Sequence, residues 1–204
     1  MVYCNIKHAI IQFESLFLLD ILCLGVIYCG KGGKFMNYIL VADKQEADSI
    51  KIPTELKQNT EIIILGYGGP AALRTLSKLL LDGKFNNNDK FFNIGYVGSN
   101  EFPIGAVLSV GESHREFPSV KFPEEIYTLD KTSNVKCYTS IDFVEHTEHV
   151  GIFDMELYTL ACLFPNIKSI KIVSDNLNFK DWKQVDIADA WEIANKILFD
   201  MIAA

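Results

Sequence analysis

Carboxylate side chains follow two apolar segments that the sequence predicts to be β-strands. Asp154 and Glu156 come at the end of one apolar run, and Asp175 follows the strand predicted over residues 167–173. In parallel α/β sheets, ligands bind outside the carboxyl ends of the strands. Acids at the start of a helix also complement its dipole, and for Asp154 and Glu156 alone that is the simpler interpretation. Because two strand ends deliver acids, the sequence predicts a ligand site lined by carboxylates.

The elements that must position these acids alternate between strands and helices. Further strands are predicted over residues 38–42, 61–65, 91–97, 106–110 and 135–139, and helices over residues 44–48, 71–81 and 184–202. A chain of 204 residues fits one domain with a sizeable core. The alternation is typical of an α/β domain, so we expect a single domain with a mixed, mostly parallel central sheet flanked by helices.

Glycine-rich turns follow two of the predicted strands. Gly66, Gly68 and Gly69 lie between a strand and a helix, and Gly95 belongs to the segment 95–99 at the end of another strand. A glycine turn lets the backbone approach a ligand closely, although such turns often serve chain geometry alone. The spacing does not match the dinucleotide-binding fingerprint.

Composition excludes several classes of function. A formal charge of −7 argues against nucleic acid or an anionic membrane as the main partner. Three of the five cysteines precede Met36, and neither Cys137 nor Cys162 belongs to a CxxC motif, so we expect a reducing cytoplasm. His146 and His149 lack a third ligand at a suitable spacing, so no metal site is predicted.

The first 35 residues do not fit the pattern of the domain. The apolar segment 16–29 contains Asp20 and is short for a membrane span of about 20 residues. We expect residues 1–35 to be a leader or a mis-assigned start, with translation beginning at Met36 and one domain over residues 36–204. Residues 31–34 can be encoded by a purine-rich, ribosome-recruiting stretch. A membrane anchor is the alternative, and an intact native peptide spanning Cys23 in mass spectrometry would contradict the Met36 start.

A family resemblance rests on two of these segments. Asp154-Met155-Glu156-Leu157-Tyr158, followed by Val173-Ser174-Asp175, resembles the ribose and base region of the purine nucleoside phosphorylase/nucleosidase superfamily. Within it, the chain most resembles the methylthioadenosine/S-adenosylhomocysteine nucleosidases. Residues 61–72 and 91–111 are similar to the same family in order, and the resemblance covers roughly Met36 to the C-terminus. It implies a phosphorylase/hydrolase-like fold, a nucleoside substrate, no cofactor and a homo-oligomer of two or more subunits.

The resemblance also implies roles for the acids. Asp175 would protonate the departing purine as a general acid, with Ser174 or Asn176 orienting it. That role requires a raised pKa, which burial could provide. Glu156 would accept hydrogen bonds from the ribose 2′- and 3′-hydroxyls, and Met155 would pack on the sugar.

By the same resemblance, residues 137–144 would form the base site. Phe143 would stack on the purine and the Val144 backbone would read its edge, although composition alone favours Phe143 as a core residue. The turns at Gly66, Gly68 and Gly95 would line the ribose and the pocket floor.

The nucleophile is the last inference from the resemblance. Glu46 would activate water, with Asp43 and Asp48 as alternatives. Family phosphorylases carry a phosphate-binding arginine where Asn93 stands, so we expect hydrolysis unless Arg74 or Arg115 substitutes. A phosphorylase and a non-catalytic nucleoside-binding protein remain the alternatives, although a binding protein would not need Asp175.

Overall fold

The computed structural model describes residues 35–116, 126–180 and 187–204. Within these residues nine strands are present: β1 (Asn37–Val41), β2 (Thr60–Ile64), β3 (Lys90–Ser99), β4 (Val107–Ser109), β5 (Glu112–Arg115), β6 (Tyr127–Thr128), β7 (Lys136–Thr139), β8 (Ile152–Asp154) and β9 (Lys168–Asp175). The α-helices of the described part are α1 (Lys44–Ser49), α2 (Gly69–Leu81), α3 (Leu157–Leu163) and α4 (Ala188–Ala203), and a 3₁₀ turn spans Lys57–Asn59.

The strands form one mixed sheet in which β3 is the central element. The main path of the sheet runs β2-β1-β3-β8-β7-β5-β6, and β9 pairs with β3 and β4. The pairs β1–β2, β1–β3, β3–β9, β5–β7 and β7–β8 are parallel, whereas β3–β8, β4–β9 and β5–β6 are antiparallel. The predicted fold class, a mixed and mostly parallel sheet flanked by helices, is confirmed.

Both faces of the sheet are covered, as the alternation of side chains in β1 shows. Tyr38 and Leu40 join a buried cluster that includes residues of α2 and α3. Ile39 and Val41 join a second cluster that includes residues of α4. Because successive side chains of a strand point to opposite faces, an unbroken apolar strand requires helices on both sides.

An irregularity in β9 determines where Asp175 lies. The register of β3 and β9 shifts so that Val97 pairs with Val173 but Gly98 pairs with Asp175, which leaves Ser174 as an extra residue. Such bulges bend a strand and redirect the side chains that follow. As a consequence, Asp175 lies opposite Gly98 at the carboxyl end of β3.

Several sequence-based boundaries needed correction. The helix predicted over residues 44–48 ends at Ser49, and β3 continues to Ser99 rather than ending at Val97. Strands β5 and β6 were not predicted. The prediction of a leader concerns residues 1–35, of which 1–34 lie outside the described residues. In the described ranges, no helix has the length and apolarity needed to cross a membrane.

Candidate active site

A cavity of about 270 Å³ opens at the carboxyl ends of the central strands. Six acids line it: Asp43, Glu46, Asp142, Asp154, Glu156 and Asp175. Among the described residues that form its wall there is no lysine, arginine or histidine. Its aromatic lining comes from Tyr67, Tyr96, Phe143, Phe153 and Phe179. The cavity is therefore acidic, with aromatic and apolar surface between the acids.

Glu46 lies in the first turn of α1 and is buried, with only 4% of its surface exposed. Its Oε2 accepts a hydrogen bond from the Ala42 amide at 2.7 Å, and its Oε1 accepts one from the Tyr96 amide at 2.9 Å. Burial raises the pKa of Glu46, whereas these two amide hydrogen bonds oppose the rise. A carboxylate fixed in this way can act as a base nearer to neutral pH than an exposed glutamate.

Asp175 is buried at the end of β9, with 1% of its surface exposed. Its Oδ2 accepts a hydrogen bond from Ser174 Oγ at 2.8 Å, and its Oδ1 accepts one from the Leu177 amide at 3.0 Å. The orienting role predicted for Ser174 or Asn176 therefore falls to Ser174, because Asn176 is exposed. Leu177 adopts φ 59°, an unusual value for a residue with a side chain, and it also lines the cavity.

Glu156 precedes α3, and its side chain turns into the cavity instead of capping the helix. Its Oε1 accepts a hydrogen bond from the Gly68 amide at 2.6 Å, which joins it to the turn between β2 and α2. Burial raises the pKa of Glu156 to about 7, the nearby charge of Asp154 adds to the rise, and Lys171 and the Gly68 amide oppose it.

Asp154 has a structural partner that the sequence did not predict. Lys171 Nζ donates to Asp154 Oδ2 at 2.7 Å, and both side chains are buried. The same oxygen accepts from the Leu157 amide at the start of α3, and Thr139 Oγ1 donates to Asp154 Oδ1. Burial alone would lower the pKa of Lys171, but the adjacent negative charges, Asp154 first, raise it overall. Asp154 thus anchors α3, as expected for an acid at a helix start, and leaves Glu156 to face the cavity.

Met155, Phe143, Val144 and Ser174, four residues predicted to bind substrate, all line the cavity. Phe143 contacts Phe179 edge to face, with ring centres 5.3 Å apart. The two rings form an apolar part of the cavity wall. Their contact with substrate stays a prediction.

The predicted glycines lie next to the site, where they make room for a side chain or allow a turn. A β-carbon on Gly95 would lie 2.6 Å from Glu46 Oε1, so the absence of a side chain makes room for that carboxylate. Gly66 and Gly68 have φ values of 88° and 83°, which favour glycine. Among the described residues, those that line the cavity do not include these three glycines. Their direct contact with substrate stays a prediction.

The alternative residues for the nucleophile lie in different places. Asp43 lines the cavity, whereas the exposed Asp48 pairs with Lys44 on the surface. Asn93 is buried within the sheet, where it donates to the Leu40 carbonyl and accepts from Ser169 Oγ. Asn93 is therefore not positioned to hold a nucleophile.

Neither candidate arginine is part of the described cavity wall. Arg74 is exposed on α2. Arg115 donates to the Tyr158 hydroxyl at 3.1 Å, and its guanidinium lies 4.6 Å from the Tyr158 ring centre. The neighbouring His114 is buried beside Glu112 in β5.

Sequence reasoning assigned no role in the site to Lys171, Gly98 or Tyr67. Lys171 interrupts an apolar strand, which was the available signal for a buried partner. Gly98 makes room for Asp175, because a β-carbon there would lie 2.8 Å from Asp175 Oδ1. Tyr67 lines the cavity from within the glycine turn, and nothing in its sequence position indicated that. As for metals, the described residues contain no group of three or more His, Cys, Asp or Glu that could hold an ion.

Comparisons with known proteins identify the fold. No protein-family model matches the chain, and no curated protein matches it. Among solved structures, the nucleosidase MTAN of Chlamydia trachomatis is 15% identical with a TM-score of 0.64, over 84% of this chain and 98% of that chain. The 5′-methylthioadenosine/S-adenosylhomocysteine nucleosidase of S. pneumoniae is 15% identical, TM-score 0.63, over 80% and 96% of the two chains.

A third neighbour has a different named activity. The futalosine hydrolase of Helicobacter pylori is 15% identical with a TM-score of 0.63, over 83% of this chain and 97% of that chain. The resemblance inferred from the sequence is thus confirmed at the level of the fold: this chain has the fold of the methylthioadenosine/S-adenosylhomocysteine nucleosidases and of futalosine hydrolase.

Proposed function

We propose that the protein is a nucleosidase that hydrolyses the N-glycosidic bond of a purine nucleoside or thionucleoside. The proposal rests on one observation above the others. Glu46, Glu156 and Asp175 come from three separate elements, all three are buried, and all three open onto one cavity. Burying carboxylates is costly, and such clusters with perturbed pKa values are typical of functional sites.

Asp175 is suited to the leaving group. As the glycosidic bond breaks, negative charge moves onto the purine, and a carboxylic acid beside the ring can protonate it. The hydrogen bonds from Ser174 Oγ and the Leu177 amide hold the Asp175 carboxyl in one orientation. Phe143 and Phe179 supply the apolar surface on which a purine would stack.

Glu156 is suited to the sugar. Gly68 occupies one of its oxygens, so Glu156 Oε2 is left to accept hydrogen bonds from ribose hydroxyls. Positive charge develops on the sugar ring in the oxocarbenium-like transition state. The surrounding carboxylates would stabilise that charge more strongly than they bind the ground state. Met155, beside Glu156 on the cavity wall, would pack against the sugar.

Glu46 is suited to activate water. Its two oxygens already accept backbone hydrogen bonds, which fixes the carboxylate, and each oxygen retains a second lone pair for a water molecule. Asp43 lines the same end of the cavity but caps α1 by accepting from the Glu46 amide. We therefore assign the base to Glu46 rather than Asp43.

The charge of the cavity favours water over phosphate as the nucleophile. Six acids line the cavity, and the described lining residues include no basic side chain that could bind an oxyanion. Phosphate recognition normally uses arginine or lysine in charge-assisted hydrogen bonds. An anion entering this cavity would instead be repelled.

Two structural neighbours suggest the substrate class. Solved structures of the C. trachomatis and H. pylori nucleosidases include aspartate-to-asparagine variants with methylthioadenosine bound. The cavity of this chain, with an aromatic wall, an acid at each end and a sugar-binding carboxylate, suits a nucleoside of that kind.

The test is to incubate the pure protein with a panel of purine nucleosides and thionucleosides, with and without phosphate. Chromatography then measures the free base and the sugar product. Phosphate-independent release of base with free ribose is expected. Release that requires phosphate and yields ribose 1-phosphate would identify a phosphorylase, whereas binding without release would identify a nucleoside-binding protein.

Assembly and compartment are also part of the proposal. We expect a homo-oligomer of two or more subunits in the cytoplasm, with a nucleoside rather than nucleic acid or a membrane as partner. The described cysteines, Cys137 and Cys162, are both buried. Light scattering coupled to size-exclusion chromatography would measure the oligomeric state, and a monomeric mass would contradict the expectation.

A further inference from the structure

Tyr67 occupies an unusual position between the two glycines of the turn that joins β2 to α2. Gly66 and Gly68 both have positive φ values, so the turn bends sharply on either side of Tyr67. The Tyr67 side chain lines the cavity while 52% of the residue remains exposed. Tyr67 therefore forms part of the cavity wall at a place where the cavity meets solvent.

The Tyr67 hydroxyl fastens this wall to a different part of the chain. It donates a hydrogen bond to Asp43 Oδ2, and Asp43 Oδ1 accepts from the Glu46 amide at 2.9 Å. The hydrogen bond to Asp43, followed by burial and by the charges of Asp43, Glu46 and Glu156, raises the pKa of Tyr67 to about 12. Tyr67 thus remains a hydrogen-bond donor at neutral pH and lies near all three acids.

These neighbours define the end of the cavity at which Tyr67 lies. Glu46 and Glu156, the acids assigned to water and sugar, are close to it, whereas Asp175, the acid assigned to the base, packs against Gly98. Gly95, which contacts Glu46, and Gly98 are three residues apart on β3, a span of roughly 10 Å along the strand. Tyr67 therefore belongs to the sugar end.

We propose that the hydrogen-bonded pair Tyr67–Asp43 is a strap across the sugar end of the cavity, and that it limits the size of the substituent at the 5′ position of the nucleoside. The inference rests on the proposed function, because it takes its orientation from the sugar and base roles of Glu156 and Asp175. The base is attached to C1′ of the ribose ring and the 5′ carbon to C4′, so a 5′ substituent projects from the sugar end of the nucleoside. A substituent there extends toward the strap, so a short group fits and a long one requires the strap to open.

The test compares two substrates that share adenine and ribose, 5′-methylthioadenosine and its 5′-hexylthio analogue. Tyr67→Ala removes the strap, Tyr67→Phe keeps the ring without its hydrogen bond, and Asp43→Ser keeps a helix cap that is too short to reach Tyr67. Asp82→Ser, which changes an exposed acid at the end of α2 outside the cavity wall, is the matched control. The ratio of kcat/KM for the short to the long substrate is measured for each variant.

We expect the wild type to favour the short substrate and Tyr67→Ala to reduce that ratio about tenfold or more, the scale on which pocket size discriminates. Tyr67→Phe and Asp43→Ser should shift it in the same direction, and Asp82→Ser should not. A purely structural role would lower activity on both substrates equally. An unchanged ratio in both Tyr67 variants would overturn the proposal, and Tyr67→Phe carries the test if Tyr67→Ala fails to fold.

Dissociation constants measured in the Asp175→Asn background separate this inference from the proposed function. If the wild type releases no base but Tyr67→Ala still shifts the ratio of the two dissociation constants, the strap is supported and the nucleosidase activity is refuted. If base is released and the ratio of dissociation constants does not change, the strap is refuted and the nucleosidase activity stands. If neither nucleoside binds, both are refuted.

Discussion

Glu46 and Asp175 pack against the same strand, β3, at two glycines that lie three residues apart. A β-carbon would lie 2.6 Å from Glu46 Oε1 at Gly95 and 2.8 Å from Asp175 Oδ1 at Gly98. Three residues of strand span roughly 10 Å. The two acids therefore meet β3 at two different positions along its length. The proposed mechanism needs an acid and a base at separate positions, because the water molecule attacks on the face opposite the leaving group.

Adding a methyl group at one of these glycines should disturb the acid without unfolding the protein. In Gly98→Ala, the new carbon would clash with the ends of two side chains, Asp175 and Leu177, rather than with backbone. We expect a fall in kcat of about 100-fold, the lower range for loss of a general acid, and a free energy of unfolding within about 2 kcal/mol of wild type. Steady-state kinetics and urea unfolding would measure the two effects.

The control for Gly98→Ala is a double-mutant cycle. If the substitution acts by displacing Asp175, then adding Asp175→Asn to Gly98→Ala should lower kcat little further, because both changes remove the same interaction. Additive losses would show that Gly98→Ala disturbs the site by another route.

Asp175→Asn should abolish proton donation while the local hydrogen bonds survive. The asparagine carbonyl can still accept from the Leu177 amide, and Ser174 Oγ can accept from the side-chain amide instead of donating. We expect kcat to fall by about 10² to 10⁴. Asp82→Asn changes an exposed acid at the end of α2, outside the cavity wall, and is the matched control. Unchanged turnover in Asp175→Asn would remove this residue from the mechanism.

Glu156→Gln should discriminate between sugars. The glutamine oxygen can still accept from the Gly68 amide, but the group facing the sugar becomes an amide donor rather than a charged acceptor. We expect kcat/KM for ribonucleosides to fall about 10- to 100-fold, as for loss of a charge-assisted hydrogen bond. The 2′-deoxyribonucleosides, which lack one of the two hydroxyls, should lose less. Equal losses for both sugars would contradict the assigned role.

Much of the fold could be predicted because its signals are local. The run Tyr38–Val41 is apolar on both faces, so it had to be a strand covered on both sides, and the glycine turn before α2 marked the start of a helix. Strand β5 was missed because Glu112, His114 and Arg115 read as a solvated segment. His114 is buried beside Glu112, and Arg115 is half-buried against Tyr158, a partner that only the tertiary structure brings to it.

The site was predictable only in part, for a related reason. Acids at strand ends can be recognised from sequence, so Glu156 and Asp175 were found. The strap from Tyr67 to Asp43 joins residues 24 positions apart, and the pair Lys171–Asp154 joins residues 17 positions apart. Neither pairing leaves a periodic signal in one sequence. The room that Gly98 gives Asp175 depends on the bulge at Ser174, which is a property of two paired strands.

Lys171→Met should be severely destabilising. It would leave Asp154 buried without its cation, and breaking a buried ion pair in this way costs about 3–5 kcal/mol. Chemical unfolding at pH 7 would measure the loss. Lys168→Met, which changes an exposed lysine of the same strand, is the control, and the double variant Lys171→Met/Asp154→Asn should recover part of the loss. A loss below about 1 kcal/mol in Lys171→Met would show that Asp154 is solvated or otherwise neutralised.

The last prediction concerns the pH dependence of stability. Burial first, and the charge of Asp154 second, raise the pKa of Glu156 from 4.5 to about 7 in the folded protein. Between these two values the folded state retains a proton that the unfolded state has lost. The free energy of unfolding therefore decreases as pH rises from 4.5 to 7 and then levels off. The contribution of Glu156 amounts to about 3 kcal/mol, at 1.36 kcal/mol for each unit of pKa.

Glu156→Gln removes this titration, since glutamine carries no proton that could be lost. The variant should therefore gain stability relative to wild type as pH rises from 4.5 to 7, and the difference should stay constant above pH 7. Urea unfolding of both proteins at pH 4.5, 6, 7 and 8 would measure the difference, with Glu61→Gln, an exposed acid paired with Lys84, as the matched substitution. A difference that does not change across this range would mean that the Glu156 carboxylate is ionised in the folded protein throughout, and that it meets the sugar as a charged acceptor at every pH tested.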